Sequence, residues 1–557
     1  MKSKKLMTTF VGLLVVIALS LSGCGGQGKS QTTNQKAQPM TIATDNGSPT
    51  FQQNWNPFSI TARKGVAWMY ETLYYINSQT GKETPWLAKS YKWMNPKQVE
   101  FTIRTGVKWN DGKAFTAKDA AYTFNLLKKY PALDSHGLWT NLASVTASGN
   151  KVDMTFKKAD VPAFTYINMV PIIPEHIWSK VSDPVKFTNV PKKGKYPVAT
   201  GAFKLQKFTP YQYTLVPNIT YWQAKKIHQS KLIFPALNGA DTVDMNLSQG
   251  KYDWSQAYVP DVKKTYTSRD PKNNHYWYAQ SGASNIVMNL AKAPFNDVKF
   301  RQALQYGINT KELSVKGENG YDAPADRSGL HLPAHNSYLN KALQKKYDYN
   351  TYNPKKAAAI LKKAGYKTEN GKLMGKDGQA IAFTIEVPTG WTDWITNCKL
   401  IKSQLNQLGI NLTVKTPNQS TWSNDLGMGH FDMSFTSGLN LYDPWFYYDN
   451  YLNSNNAKQG STPAAGNYGG WKDKKTDQLL NAYKSTTNAQ EKKKIINDLQ
   501  VIMYEQSPVI PLFYNANWNQ YSTKKFVGWP TAKNPYATPT FAIPDTEIIM
   551  THLTLVP

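Results

Sequence analysis

Apolar and polar residues alternate at Val99-Glu100-Phe101-Thr102-Ile103, a period of two that predicts a strand with one buried face. The same period returns at Val152, Met154 and Phe156, at Phe203 and Leu205, and at Tyr213 and Leu215. Between the first two strands the period changes. Asn110-Asp111-Gly112 reads as a turn, and Thr116 with Asp119 as an approximate capping box. The box opens a helix through Tyr122, Leu126 and Leu127 that stops before Pro131. A second helix is framed by Asn353-Pro354 and Gly365, with the cap and the proline at its start and glycine at its end. The longest stripe predicts a third helix over roughly Trp391 to Leu408, where Trp391, Trp394, Cys398, Ile401, Leu405 and Leu408 form one continuous face. Gly409 ends it, and Ile410, Leu412 and Val414 alternate as a strand. Strands and helices follow one another with no repeat period, so the expected fold class is α/β with more than one domain.

One apolar run stands apart. Phe10 to Leu21 follows Lys2, Lys4 and Lys5, with no acidic residue before Cys24. This is the charged n-region and short h-region of a secretory signal, too short to span a bilayer. Leu21-Ser22-Gly23-Cys24 resembles the lipobox of bacterial lipoproteins, which implies removal of residues 1–23 and a diacylglycerol on Cys24. Two acyl chains anchor stably where one is marginal. Residues 24–39 are Gly, Gln, Ser, Thr, Asn and Lys with almost nothing apolar, a flexible tether. With Cys24 lipidated, the second of the two cysteines, Cys398, has no disulfide partner, and its place in the helical stripe predicts a buried, inert thiol.

The formal charge of +28 calls for an anionic neighbour. The lysines are scattered and no recognition helix or zinc finger accompanies them, so anionic lipid and cell-wall polymer fit an exported chain better than nucleic acid. Aromatics make up 13% of the residues, and Trp and Tyr outnumber Phe. Such rings serve clefts as well as cores. Catalytic motifs are missing: there is no Gly-x-Ser-x-Gly, no phosphate-binding Gly-x-x-x-x-Gly-Lys-Ser/Thr and no His-Glu-x-x-His. His331 and His335 have the spacing of a helical metal pair, but Pro333 between them argues against it. No enzyme activity, cofactor or metal is expected.

Five stretches in order resemble the extracellular solute-binding proteins of the peptide/nickel type, family 5. They are Phe101 to Gly112 with Thr116 to Asp119; Thr200-Gly-Ala-Phe-Lys-Leu205 with Asn218 to Trp222; Pro294 to Val298 with Arg301 to Leu304; Phe431-Asp432 leading to Tyr442-Asp443-Pro444; and Ser507 to Leu512. The resemblance implies a two-lobed periplasmic-binding-protein clamshell, type II and cluster C-like, with a domain inserted in lobe one. Residues 40–72, 171–283 and 511–557 would form lobe one, 73–170 the additional domain and 284–510 lobe two. Two crossings then make a hinge whose closure a permease can detect. The implied role is that of a monomeric, lipid-anchored substrate-binding protein of an ABC importer on the outer face of the cytoplasmic membrane of a Gram-positive cell.

The candidate ligand-binding residues follow from where such a cleft closes. Trp391 and Asp393 stand at a helix start, whose free N–H groups attract polar ligand atoms; Trp394 reads as packing. Asn440, Tyr442, Asp443 and Trp445 form a second focus, and Trp254, Tyr258 and Asn54 are candidates for the opposite wall. Peptide-binding members place an aspartate four residues before the proline at position 444, where it pairs with the peptide's ammonium group. Here that position is Asn440, an acceptor without the charge. Oligopeptides are the first expectation for the solute. A cello-oligosaccharide-like solute is the alternative, favoured by that amide and by Gly-Trp-Thr-Asp-Trp, which looks like the oligosaccharide-binding branch. A secreted hydrolase or a surface adhesin that kept the fold is the reading from another class.

Overall fold

The computed structural model describes residues 37–44, 50–191, 197–237, 239–438 and 441–557. The expected signal segment, Cys24, the tether up to residue 36 and Asn440 lie outside the described residues. Three mixed or antiparallel sheets organise the remainder.

The first sheet has seven strands. At its centre Gln38–Ala43 runs parallel to Gln229–Pro235 on one side and to Trp254–Ser255 on the other. Met40 and Ile42 are fully buried, so the expected tether gives way to structure at Gln38 rather than after residue 39. Phe203–Thr209 and Gln212–Pro217 extend this sheet as an antiparallel hairpin, as their alternation requires. The second sheet is the antiparallel four-stranded set Ala88–Asn95, Gln98–Ile103, Lys151–Phe156 and Leu142–Ser148. Val99, Phe101 and Ile103 are buried while their neighbours are half-exposed. The helix Ala117–Lys129 opens on the capping box of Thr116 and Asp119 and packs on this sheet. One apolar core runs through both sheets, from Met40 and Trp68 to Phe101, Phe164 and Leu553, which makes the segment around 73–170 an outgrowth of the first body.

The third sheet, of five strands, orders Asn411–Lys415, Ala382–Glu386, Met433–Ser437, Ala279–Met288 and Val509–Asn517. Helix Thr392–Asn406 covers it with Trp394, Cys398, Ile401 and Leu405, the stripe read from the sequence. Cys398 is fully buried, and burial pushes its thiol pKa up. Two adjacent strands carry the chain between the first and third sheets. Ala279–Met288 and Val509–Asn517 pair antiparallel from Ala279 with Asn517 to Val287 with Val509. Just beyond them, Asn274–Tyr276 and Gln520–Ser522 pair with each other in the seven-stranded sheet. This two-strand ribbon joins the two bodies. Its second strand pairs within the five-stranded sheet as far as Asn517.

Candidate binding site

The two bodies meet along a seam on either side of the ribbon. At one end stands the start of helix Thr392–Asn406. Trp394 is 8% exposed, with its ring 4.3 Å from Phe435. Trp391 is half-buried between Trp394 at 4.7 Å and Trp422 at 5.8 Å. Asp393 is exposed, and its Oδ1 accepts from the Trp394 N–H at 2.8 Å. Beneath it lie two buried carboxyls that the sequence reading did not pick out. Glu318 Oε1 accepts from Asn397 Nδ2 at 2.6 Å, and Asp322 Oδ1 accepts from the Ala516 N–H of the ribbon at 3.0 Å. Burial, then the charges of Asp322 and Asp393, raise Glu318 to about 8. Burial, against the Ala516 hydrogen bond and with the charge of Asp393, raises Asp322 to about 7. No lysine or arginine forms an ion pair with these three carboxyls among the described residues. Across the seam is Tyr258, 41% exposed, whose hydroxyl accepts from Asn319 Nδ2 at 2.6 Å. Its ring meets Trp518 edge-on at 5.2 Å. Burial and then the charges of Tyr321, Asp393 and Glu318 raise its phenol pKa, so Tyr258 and the carboxyls share one electrostatic environment.

At the other end, Tyr442 faces the turn Asn77–Lys82 of the first body, with its ring against Gly81. Next to it Gln79 Nε2 donates to the Gln280 carbonyl of the ribbon at 2.9 Å. The Tyr442 carbonyl accepts from His335 Nε2, while His335 Nδ1 accepts from the His331 N–H at 3.1 Å. Burial lowers the two imidazoles to about 4 and about 3, so both are neutral. Both ring nitrogens of His335 are thus committed to the backbone. Asp443 Oδ1 accepts from the Trp445 N–H and from the Tyr483 hydroxyl, each at 2.9 Å, which makes it a turn-former. Trp445 is 6% exposed and its Nε1 donates to the Leu480 carbonyl at 3.1 Å.

Trp445 nonetheless lines a cavity of about 690 Å³ that both bodies enclose. The inserted segment contributes His136 stacked on Tyr166, with centroids 4.8 Å apart. The other body contributes Phe446, 4.8 Å from Tyr166, and Asp449, whose carboxyl is held by Asn453 and Asn456 and raised by burial. An ion pair of Asp160 with Lys484 at 3.4 Å and a Val161 N–H to Lys484 carbonyl bond at 3.0 Å close one side. Sequence reasoning missed His136, Tyr166, Phe446 and Asp449. Only the adjacency of Phe446 to Trp445 could have suggested one of them.

Two expected wall residues lie elsewhere. Trp254 is fully buried in the first body, ringed by Trp68, Trp529 and Phe541, with Nε1 donating to Asn519 Oδ1 at 2.7 Å. No face is left for a solute. Asn54 spends its amide inside its own loop, donating to Ser59 and Thr61 and accepting from the Asn56 N–H.

A two-strand ribbon joining two bodies, with aromatic and carboxyl groups facing each other across the seam, agrees with one family model that matches residues 82–459, bacterial extracellular solute-binding proteins, family 5. The chain belongs to that family. Among family 5 relatives, the nickel-binding periplasmic protein of Escherichia coli is 27% identical over 394 residues, 68% of this chain and 71% of that one. Oligopeptide-binding protein AppA of Bacillus subtilis is 24% identical over 536 residues, 93% and 95% of the two chains. The periplasmic oligopeptide-binding protein of a Thermotoga maritima oligopeptide ABC transporter superposes with a TM-score of 0.82 at 25% identity, covering 93% of this chain and 99% of that one. The mannohexaose-bound structure of the same Thermotoga protein superposes at 0.72 and 25%, covering 94% and 99%. These relatives are named for binding rather than for catalysis, and the family is extracytoplasmic.

Proposed function

We propose that this chain is the solute-capturing lipoprotein of an ABC importer, held by a diacylated Cys24 on the outer face of a Gram-positive cytoplasmic membrane. Its solute is an oligopeptide with a free amino terminus. The observation that carries the ligand class is the trio Glu318, Asp322 and Asp393. In a chain with 65 lysines and arginines, these carboxyls meet at the seam with no basic partner among the described residues. An ammonium group entering there finds counter-charges and, from the other body, the faces of Tyr258 and Trp518. This replaces the charge that Asn440 lacks. The lobes close about the ribbon, and the shut form presents the peptide to the permease.

The test is a tryptophan-fluorescence titration of the protein from Gly25 onward with a peptide pool, the same pool N-acetylated, and a cello-oligosaccharide pool. Binding of free peptides and a large loss on acetylation is expected. Binding of acetylated peptides as tightly as free ones would remove the role of the carboxyls. The second reading, a neutral oligosaccharide, is favoured by the tilted Trp391–Trp422 pair, which offers ring faces at the same helix start, and by the mannohexaose held by the Thermotoga relative. Saturable binding of the cello-oligosaccharides alone would establish it. For the anchor, Cys24→Ala should release the protein into the medium even where wild type survives a high-salt wash of the membranes.

A further inference from the structure

We propose that the lysine-rich face built by helix Pro354–Lys363 and the hairpin Lys367–Met374 is a docking surface for an anionic lipid bilayer. The stretch from Lys341 to Lys376 holds ten lysines against two acidic residues. Lys355, Lys356, Lys362, Lys363, Lys367 and Lys372 are all exposed. Lys346 and Lys376 are drawn off into ion pairs with Glu505 and Asp297, but none of these six is ion-paired among the described residues.

The helix explains the arrangement. Ala357 and Leu361 are buried against the body, which places a lysine pair at each exposed end of the helix, with the Lys356 ammonium lying over the Tyr306 ring at 4.1 Å. Between the pairs Ala358 and Ala359 are exposed, so the middle of the outer face is smooth and apolar. Beside it runs a groove of about 750 Å³ between the helix and the hairpin, floored by Leu361, Tyr366, Leu373 and Leu408 and rimmed by Lys362 and Lys367, with Glu369 the one acidic group on its lining. A soluble polyanion would satisfy the rim and leave the floor in water. A bilayer offers phosphates at the level of the ammonium groups and glycerol and acyl carbon just below, which suits lysine stems flanking an apolar trough. The charge is complementary to anionic lipid specifically. The inference does not depend on whether the cleft takes peptide or sugar.

The experiment is sedimentation of the protein from Gly25 onward, which contains the whole compact unit 37–557 and its cores, with two kinds of vesicle. One is phosphatidylcholine alone, the other an equimolar mixture with phosphatidylglycerol. Binding to the mixed vesicles only, weakening as salt is raised, is expected. Lys355→Glu with Lys356→Glu, Lys362→Glu and Lys363→Glu should lower that affinity on the order of a hundredfold. Reversing Lys472, Lys474, Lys475 and Lys493, exposed lysines of the same body, changes net charge equally and should cost only a few-fold. Ala358→Gln, at an exposed position that tolerates it, should weaken vesicle binding without affecting retention of soluble polyglycerol phosphate. Equal losses from the two quadruple reversals would mean that only overall charge matters. Tighter binding of polyglycerol phosphate than of vesicles at equal phosphate would assign the face to a polymer. Either result overturns the proposal.

Discussion

Gly81 tests whether the seam is a moving contact. Its φ is +69°, a conformation that costs an L side chain about 1–2 kcal/mol, whichever way the lobes stand. The second cost falls on the form in which Tyr442 meets the turn, which under the proposed closure is the bound one. A Cβ at this position would lie 1.9 Å from Tyr442 Cζ and 2.2 Å from its hydroxyl oxygen. Carbon atoms in contact keep about 3.5–4.0 Å, so the ring or the turn must retreat by roughly 2 Å. Overpacking of this kind costs about 1–3 kcal/mol, or on the order of ten- to a hundredfold in Kd when only the bound, shut form feels it. Gly81→Ala should therefore weaken binding by that factor and lower the stability of the empty protein by only the backbone cost. A double-mutant cycle with Tyr442→Ala separates the two effects. In that background Gly81→Ala should leave the Kd unchanged and still lower the melting temperature. The assay is the fluorescence titration with the tightest ligand from the pools, beside thermal denaturation of the empty protein. An equal loss of affinity in both backgrounds would refute the reasoning, because the turn would then act on binding by some route other than the Tyr442 ring.

Trp394→Ala should cost about 3–5 kcal/mol of stability, as expected for an emptied aromatic site, since the ring is sandwiched by Phe435 and Trp391; Trp391→Ala, half-buried, should cost roughly a third of that in denaturant unfolding and weaken ligand binding more than stability. Affinity for a free-amino-terminus peptide should rise with pH up to about 7, as Asp322 and Glu318 give up protons to pair with it, and fall again above about 8, where the peptide's own α-amino group loses its charge, whereas affinity for a neutral sugar should show no such maximum; calorimetry in two buffers checks the proton release. Glu71 and Glu547 are fully buried in the first body, held by Trp222 Nε1 and the Ala202 N–H at 2.9 Å each, and burial raises both carboxyls above the ordinary 4.5. The folded state thus keeps protons that the unfolded chain gives up above that pH, so stability is greatest below it and falls as pH rises, at ~1.4 kcal/mol per pH unit for each excess proton. Glu547→Gln keeps an acceptor for Ala202 and should flatten that slope on the alkaline side of the ordinary carboxyl value in thermal melts; an unchanged slope would remove the pair from the explanation.

What the sequence made legible was what a few consecutive residues decide. The capping box at Thr116, the glycine stop at Gly365 and the stripe from Trp394 to Leu405 are local, and helix, turn and buried face all stand where the periodicity put them. The candidate site is a different kind of object. Tyr166 meets Phe446, Gly81 meets Tyr442 and Tyr258 meets Asn319 across dozens to hundreds of residues, and no window along the chain contains both partners. A single aromatic in the sequence carries no mark of which side it faces. Trp254 and Trp445 have the same chemistry, yet one is sealed among Trp68, Trp529 and Phe541 while the other lines the cavity between the bodies. The carboxyls were hidden for a further reason. Glu318 and Asp322 sit in a polar stretch that reads as a solvated loop, yet both are buried, Glu318 against Asn397 of helix Thr392–Asn406 and Asp322 against Ala516 of the ribbon. Charge is harmless in a loop and costly in a seam, so the same two residues change meaning when a helix and a strand from far along the chain dock on them. A solute-binding protein needs groups of that kind, desolvated by closure and incompletely paired until the ligand arrives, and such groups are the ones that local pattern leaves invisible.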